Sequence, residues 1–253
     1  MPASADNNRP PFGHTVALSD AFERARMGAG FDERLRLSAW CFDLAEWMPW
    51  LREAEALLDA PERARVQLRL RPGDRDALTL TYALHRLALA AVLECDPSQV
   101  ALLRDAVGRP CLLEKDIWTS LTHTDGFAAV AISRASAVGI DLELATRAMD
   151  MPEIAERVCH VVEADGLKGR LPAEYASALL ALWVRKEALL KMAGVGLGEE
   201  MNTFQAPADI VVRLPGDHVG HAVVRMVMLG PAWVAAIASD GSGPEIATDW
   251  LHP

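Results

Sequence analysis

Two acidic side chains stand two positions apart in the segment Gly139–Glu143, whose sequence is Gly-Ile-Asp-Leu-Glu. Alternate residues of a β-strand project from the same face, so Asp141 and Glu143 are predicted to lie side by side. Adjacent carboxylates repel each other unless a cation lies between them, and proteins hold Mg²⁺ with one or two carboxylates plus substrate phosphates. A solvent-exposed strand edge would show the same alternation, so the pair alone leaves both interpretations open.

A second group of charged residues lies in the apolar stretch 172–193. Trp183, Glu187 and Lys191 are spaced by four, so they share one face of a helix. A Glu to Lys pair at this spacing is commonly a surface ion pair of small energy. Here the flanking leucines predict a largely buried helix, and buried charge is costly unless it is paired or bound to a ligand. The pattern therefore strengthens the case for a functional site but leaves the surface ion pair open, and Lys186 lies beside it.

The other polar candidates are weaker on local grounds. His123 lies among hydroxyl residues just before a predicted strand, and a lone histidine is more often structural than functional. Glu163 follows a short helical pattern and has no distinguishing neighbour. His218 and His221 form a pair without further ligands, so we discount a metal site there.

Five arginines gather between residues 62 and 75 of a chain whose formal net charge is −10. The net charge argues against a protein that coats nucleic acid, because neutralising phosphates needs a basic surface. The cluster itself would suit a phosphate or an acidic partner, although a solvated charged face is the commoner explanation. Its members are Arg63, Arg65, Arg69, Arg71 and Arg75.

A mixture of helices and strands must position these residues. The apolar run Leu78–Leu93 predicts a buried helix, and Pro172–Ala193 predicts a second, with proline near its start and Gly194 just beyond its end. Residues 65–71 fit either a strand or an exposed helix. Strands are predicted, in chain order, at Phe127–Ser133, Val138–Leu144, Ile210–Leu214, Ala222–Leu229 and Trp233–Ala238. The predicted fold class is α+β with mostly antiparallel strands.

Length and composition set the outer limits. The chain has 253 residues, of which 51% are hydrophobic, so one large or two small globular units are expected. The four cysteines form no CxxC pair, which argues against a zinc site and a disulfide framework. No uninterrupted apolar run approaches the roughly 20 residues that span a bilayer, and the first residues lack the pattern of a signal peptide. We therefore expect a cytoplasmic protein that is not in a membrane.

Taken in order, the motifs resemble one known family, the 4′-phosphopantetheinyl transferases of the surfactin-synthetase-activating (Sfp) type. The Asp-x-Glu and Trp-x-x-Lys-Glu-(x)₄-Lys elements are the specific ones, and together they are much stronger than either alone. The resemblance extends from about residue 35 to residue 204. The segments that match are Gly108–Pro110, Ser120–His123, Gly139–Glu143, Trp183–Lys191 and Gly194–Leu197.

The resemblance implies a monomer built of two similar α+β lobes that form a pseudo-dimer, with coenzyme A in the cleft between them. Residues 1–30 would then be an N-terminal extension, partly disordered. Residues 31–135 would form the N-terminal lobe, and residues 136–253 the C-terminal lobe that holds the metal.

The resemblance also implies an activity of the holo-[acyl-carrier-protein] synthase type. The phosphopantetheine arm of coenzyme A would pass to a serine of an apo acyl or peptidyl carrier protein, with release of adenosine 3′,5′-bisphosphate. Mg²⁺, with Mn²⁺ as an alternative, is implied at Asp141, Glu143 and Glu187. The phosphates are implied at Lys186 and Lys191, and the adenosine and 3′-phosphate end at Arg63, Arg109 and His123.

A carboxylate must take the proton of the attacking serine, and Glu187 and Glu163 are both candidates. We favour Glu187 because the helix stripe fixes its position, whereas Glu163 rests on the family pattern alone. Two rival functions stay open. A metal-dependent phosphodiesterase or nuclease would also use Asp141 and Glu143, and a module that binds coenzyme A or a carrier would need no turnover.

Overall fold

A computed structural model describes residues 16–29, 36–113, 116–216, 219–241 and 246–253. Most of the predicted N-terminal extension, at residues 1–15 and 30, lies outside the described residues, as does His218. The helices are α1 (Leu18–Gly28), α2 (Leu44–Trp47), α3 (Leu51–Leu57), α4 (Ala60–Gln67), α5 (Pro72–Leu93), α6 (Ala155–Val158), α7 (Val161–Leu167) and α8 (Pro172–Ala193). Short 3₁₀ segments occupy Met48–Trp50, Pro97–Gln99, Ala145–Ile154, Gly196–Gly198 and Met201–Thr203.

The strands form two four-stranded sheets and one two-stranded ribbon. Their bounds are β1 (Leu37–Asp43), β2 (Leu102–Arg104), β3 (Pro110–Leu112), β4 (Trp118–Thr124), β5 (Phe127–Ser133), β6 (Gly139–Leu144), β7 (Val211–Arg213), β8 (His221–Val227), β9 (Trp233–Ser239) and β10 (Ala247–Trp250). The first sheet has the order β10-β1-β5-β4, the second β6-β9-β8-β7, and β2 pairs with β3. These pairings are antiparallel except that β10 runs parallel to β1. The predicted α+β class is confirmed.

Each sheet is covered by one long helix. Helices α5 and α8 both have 22 residues and begin with a proline. Each is followed by a C-cap residue with positive φ, Glu94 after α5 and Gly194 after α8. Helix α5 packs in the core of the first sheet and α8 in that of the second. Helix α5 is long and apolar enough to cross a membrane, but 78% of its most apolar window is buried, as in the core helix of a globular fold. The two sheets meet where β4 packs beside β6.

Both ends of the described chain join the first core. Helix α1 lies inside the predicted extension, and its Phe22 is buried against Trp40 and Trp47. Strand β10 lies inside the predicted C-terminal lobe yet pairs with β1, and the following Leu251 is buried. The predicted divisions at residues 30 and 136 therefore separate α1 and β10 from the core to which they belong.

Helix α4, which bears the first arginines of the basic cluster, is held by a buried ion pair. The segment 65–71, which fitted either a strand or a helix, continues the helix as far as Gln67. Asp59 caps the helix and Glu62 completes the capping box. Arg86 of α5 donates to Glu62 at 2.6 Å and also pairs with Asp59. The exposed face of α4 is thereby fixed relative to α5.

A second buried polar contact joins α5 to the first sheet. The ring Nε2 of His85 lies 2.8 Å from Thr119 Oγ1, and the side chain is fully buried. Burial, together with the positive charges of Arg104 and Arg86, lowers the pKa of His85 to about 3. The histidine is therefore neutral in the folded protein at ordinary pH.

Candidate active site

Strand β6 holds both predicted carboxylates in the interface with β4. Asp141 and Glu143 are buried, with 4% and 6% of their surface exposed. Thr122 Oγ1 donates to Asp141 Oδ1 at 3.0 Å, and Thr124 Oγ1 donates to Glu143 Oε2 at 2.9 Å. Both acidic side chains therefore face β4, as strand alternation predicts.

Strand β6 can reach this position because its first residue is glycine. A Cβ at Gly139 would lie 1.9 Å from the carbonyl oxygen of Ala188 and 2.6 Å from the nitrogen of Met192. Any other residue would push β6 away from the backbone of α8. The glycine therefore sets the distance between the carboxylates of β6 and the charged side chains of α8.

Helix α8 brings Glu187 and Lys191 to the carboxylates. Lys191 Nζ lies 2.7 Å from Asp141 Oδ1 and 3.0 Å from the carbonyl oxygen of Ile140. Burial raises the pKa of Glu187 above its ordinary value, and the negative charge of Asp141 raises it further, against the opposing charges of Lys191 and Arg147. The helix stripe and the strand pair thus converge in three dimensions.

The donor oxygens here fit a hard cation in part. Within the described residues no three His, Cys, Asp or Glu side chains are grouped so that they could hold a metal ion as they stand. Two basic side chains, Lys191 and Arg147, neutralise the carboxylates instead. However, Asp141 Oδ2 is buried without a hydrogen-bond partner, and the negative charge of Asp141 raises the pKa of Glu187. A buried orphan oxygen beside a second carboxylate is the kind of donor that Mg²⁺ takes.

Sequence reasoning missed Arg147, which is ion-paired to Glu143. Its guanidinium contacts Glu143 Oε1, and its Cζ lies 5.1 Å from the centre of the Trp183 ring. The 3₁₀ segment after β6 turns the chain back so that a residue four positions along returns to the strand. A pattern that treats 139–144 only as a strand gives no reason to expect this contact.

A basic cavity of about 350 Å³ adjoins the carboxylates and shares Lys191 with them. His123 and Arg109, both predicted at the coenzyme A end, line this cavity, and so do Arg69 and Arg104. None of the described residues that line it is acidic. A cavity with this charge suits a ligand that bears phosphate groups.

The surroundings of His123 in the cavity disfavour its protonated form. Burial lowers its pKa, and the positive charges of Arg69 and Lys191 lower it further, whereas Asp74 acts in the opposite direction. A phosphate placed beside the ring would add the negative charge that the free site lacks. The pKa of His123 is therefore expected to rise when such a ligand binds.

Arg109 connects the first half of the chain to the end of α8. Its Nε donates to Asp105 Oδ2 at 3.2 Å and its Nη1 to the carbonyl oxygen of Met192 at 3.2 Å. Gly194 has a φ of 72°, and a Cβ there would lie 2.6 Å from Arg109 Cζ. Gly194 is thus required both by its left-handed backbone and by the guanidinium that lies against it.

Arg104 is the second functional candidate that the sequence analysis overlooked. Its Cζ lies 4.7 Å from the centre of the Tyr82 ring, and Nη1 donates to the carbonyl oxygen of Gly108 at 3.0 Å. Its Nη2 is buried and has no hydrogen-bond partner. The sequence offers only an arginine four residues before the Gly108 turn. The contact between the two could not be predicted without knowing how the turn folds.

Two of the residues predicted to bind coenzyme A, Arg63 and Lys186, do not line the cavity. Arg63 is exposed on α4 and donates to the carbonyl oxygen of Leu58. Lys186 is fully buried, and its Nζ lies 2.6 Å from each of Glu163 Oε2 and the carbonyl oxygens of Met201 and Phe204. These three contacts use the three hydrogens of the ammonium group. Lys186 is therefore bound to protein atoms, where the sequence predicted a phosphate.

Glu163 has a structural environment as well. Its Oε1 accepts from the backbone nitrogen of Ala206 at 2.8 Å, and its Oε2 accepts from that of His160 at 3.0 Å in a capping box. With Lys186 it fastens the loop that ends at Ala206 to α7 and α8. Adjacent helical residues point about 100° apart, which is why Lys186 faces this loop while Glu187 faces Asp141. The geometry thus separates Glu163 from the carboxylates of β6.

An α+β fold with acidic strand and helix residues beside a basic cavity defines a candidate phosphate-handling enzyme. Residues 137–227 match the family model of the 4′-phosphopantetheinyl transferase superfamily. The segment includes β6 and α8, and therefore Asp141, Glu143, Glu187 and Lys191.

Three curated relatives have names of the same class. The putative 4′-phosphopantetheinyl transferase slr0495 of Synechocystis sp. is 28% identical over 158 residues, which is 61% of this chain and 64% of the relative. The 4′-phosphopantetheinyl transferase HetI of Nostoc sp. is 26% identical over 67% of this chain and 74% of the relative. The 4′-phosphopantetheinyl transferase psf-1 of Bacillus pumilus is 33% identical over 47% of this chain and 52% of the relative. The chain thus spans less than two thirds of the first and third of these relatives.

Proposed function

We propose that this protein transfers the 4′-phosphopantetheine arm of coenzyme A to a serine of an apo acyl or peptidyl carrier protein. The observation that supports this most is the position of Lys191, which lines the basic cavity and contacts the buried Asp141 at 2.7 Å. A phosphate-bearing ligand in the cavity would lie next to the carboxylates. The names of the relatives support the same reaction. We further propose that the enzyme is of the Sfp type and acts as a cytoplasmic monomer.

The reaction follows from the charges of the site. The serine oxygen attacks the β-phosphorus of coenzyme A, the phosphoanhydride bond breaks, and adenosine 3′,5′-bisphosphate leaves. Negative charge grows on the phosphate oxygens, and Lys191 can neutralise it. Arg104, Arg109 and His123 would hold the adenosine and phosphate end in the cavity. Mg²⁺, which Asp141, Glu143 and Glu187 would hold, would supply further charge stabilisation on the pyrophosphate.

The serine proton needs an acceptor, and Glu187 is the carboxylate that the geometry favours. The charges of Asp141 and Lys191 both act on Glu187, which supports a position of Glu187 next to the reacting phosphates. Glu163, in contrast, is held by Lys186 and two backbone amides. The choice between the two bases therefore favours Glu187.

The carrier is proposed to meet the turn between α4 and α5. Leu68 and Leu70 are 78% and 93% exposed there, next to Arg65 and Arg71, on a chain of net charge −10. Exposed leucines flanked by arginines would suit an acidic partner with an apolar contact. We expect Arg71→Glu to slow modification of the carrier while coenzyme A affinity stays unchanged. Equal modification rates for the variant and the unaltered protein would refute this docking site.

The test of the function is the mass of a carrier protein. The full chain is incubated with coenzyme A, Mg²⁺ and several apo carriers, with and without chelator. We expect a mass increase equal to the phosphopantetheine arm, lost with chelator and reduced by about 10²-fold or more in Asp141→Asn. Asp165→Asn, an exposed aspartate on α7, is the matched control and should react normally.

Other outcomes would identify a different function. Binding of coenzyme A without a mass increase on any carrier would favour a binding module. Metal-dependent cleavage of coenzyme A or of a nucleic acid, with an unmodified carrier, would favour a phosphodiesterase.

A further inference from the structure

Each carboxylate of β6 has the same pair of partners, one hydroxyl from β4 and one protein cation. Asp141 accepts a hydrogen bond from Thr122 and forms a salt bridge with Lys191. Glu143 accepts a hydrogen bond from Thr124 and forms a salt bridge with Arg147. The carboxylates are thus already neutralised by the protein's own side chains. An external cation that approached them would have to share or replace one of these contacts.

The two protein cations are anchored to very different degrees. Lys191 Nζ is bound to Asp141 and also to the carbonyl oxygen of Ile140, and 26% of its side chain is exposed. Arg147 contacts a single carboxylate, lies in a 3₁₀ segment at the surface and is 38% exposed. Its other contact is the face of the Trp183 ring, which binds a guanidinium without directional hydrogen bonds. Arg147 is therefore the cation that can leave its carboxylate at the smaller cost.

The charges favour exchange at this position. Asp141, Glu143 and Glu187 contribute three negative charges when ionised, and Lys191 and Arg147 contribute two positive ones. Loss of Arg147 from Glu143 would leave that carboxylate buried without a cation, which is unfavourable unless another cation arrives. The arrival of a divalent cation and the departure of Arg147 are thus energetically coupled.

We propose that Arg147 is a built-in counter-ion that occupies Glu143 when no divalent cation is bound and competes with that cation for the site. The inference rests on the cation assignment within the proposed function. Arg147 acts here as a positioning residue through Glu143, and it sets how tightly a cation is held. The face of Trp183 keeps the displaced guanidinium close, so that it returns when the cation leaves.

The test measures cation affinity directly, without turnover. Mn²⁺ is titrated into the full chain in the absence of coenzyme A, and free Mn²⁺ is followed by its electron paramagnetic resonance signal. The variants are Arg147→Gln and Arg147→Lys, with Arg52→Gln as a control that makes the same charge change at an exposed position. Asp141→Asn reports whether the bound ion is at this site.

We expect Arg147→Gln to bind Mn²⁺ about fivefold more tightly than the unaltered chain, the size expected for removal of one partly exposed ion pair. Arg147→Lys should fall between the two, and Arg52→Gln should match the unaltered chain. Melting temperatures provide a second measurement. Arg147→Gln should melt at a lower temperature in cation-free buffer and recover with saturating Mg²⁺.

Unchanged or weaker Mn²⁺ binding in Arg147→Gln would overturn the proposal while leaving the cation site intact. No Mn²⁺ binding to any of the proteins would overturn both this proposal and the cation assignment. A tighter Arg147→Gln site in a protein that modifies no carrier would sustain this proposal and refute the proposed function, so the two failures are distinguishable.

Discussion

Replacement of Lys186 by methionine distinguishes a structural lysine from one that binds phosphate. The ammonium group is fully buried and has three contacts of 2.6 Å, to Glu163 Oε2 and to the carbonyl oxygens of Met201 and Phe204. Methionine fills a similar volume but leaves the Glu163 carboxylate, only 14% exposed, without its cation. Breaking one side of a buried ion pair costs about 3–5 kcal/mol. This is a large part of the roughly 5–15 kcal/mol that stabilises a typical domain.

Urea unfolding gives the free energy of unfolding, and calorimetry gives coenzyme A affinity for the folded fraction. We expect Lys186→Met to lose about 3–5 kcal/mol of stability while the Kd for coenzyme A changes by less than about twofold. The double variant Lys186→Met/Glu163→Gln should recover about 0.5–3 kcal/mol, because no carboxylate is then left unpaired. Lys168→Met, which removes an exposed pair with Asp165, should leave stability unchanged. Normal stability with coenzyme A affinity weakened tenfold or more would refute this reasoning and restore Lys186 as a phosphate ligand.

Three further changes test the packing that supports the site. Gly139→Ala places a Cβ 1.9 Å from the carbonyl oxygen of Ala188, so we expect little folded protein, measured by soluble yield and circular dichroism. Gly194→Ala should weaken coenzyme A affinity in calorimetry, because its Cβ would lie 2.6 Å from Arg109 Cζ. Burial lowers the pKa of His85 from 6.5 to about 3, so in this pH range the unfolded chain binds a proton that the folded chain does not. The free energy of unfolding should therefore decrease as the pH is lowered from 6.5 to about 3. The slope due to this group, up to about 1.4 kcal/mol per pH unit, should be absent in His85→Leu, as urea unfolding at several pH values would reveal.

The regular elements were accessible from the sequence, but the assignment of chain ends to the core was not. Long apolar stretches predicted α5 and α8, and β-prone runs predicted β5, β6, β7, β8 and β9. Strand β10 has only four residues, none of them fully buried, and it is held by pairing with β1, which lies at the other end of the chain. Helix α1 is amphipathic, and only the face that bears Leu18, Ala21 and Phe22 is buried. Tertiary contacts decide both elements, so local patterns could not place them.

The candidate site was predictable where spacing alone determines position. A period of two on β6 and of four on α8 located Asp141, Glu143, Glu187 and Lys191, and the fold brings β6 and α8 together. Residues that reach the site through a turn were missed, as for Arg147 and Arg104. The adjacent residues Lys186 and Glu187 were predicted to act at the same site, although the helix directs them into different environments.

The pairing of β10 with β1 has a consequence for how the chain is made. Leu251 donates its backbone N–H to the carbonyl oxygen of Cys41, and its own carbonyl accepts from Trp47 Nε1 at 3.3 Å. When only the first half of the chain has been synthesised, the first sheet lacks β10 and can have only three strands. The edge of β1 is then unpaired, and the site of Leu251 is unfilled. The first core is therefore completed only after β10 and Leu251 have been synthesised, and until then β1 presents an open edge that chaperones or a second nascent chain can bind.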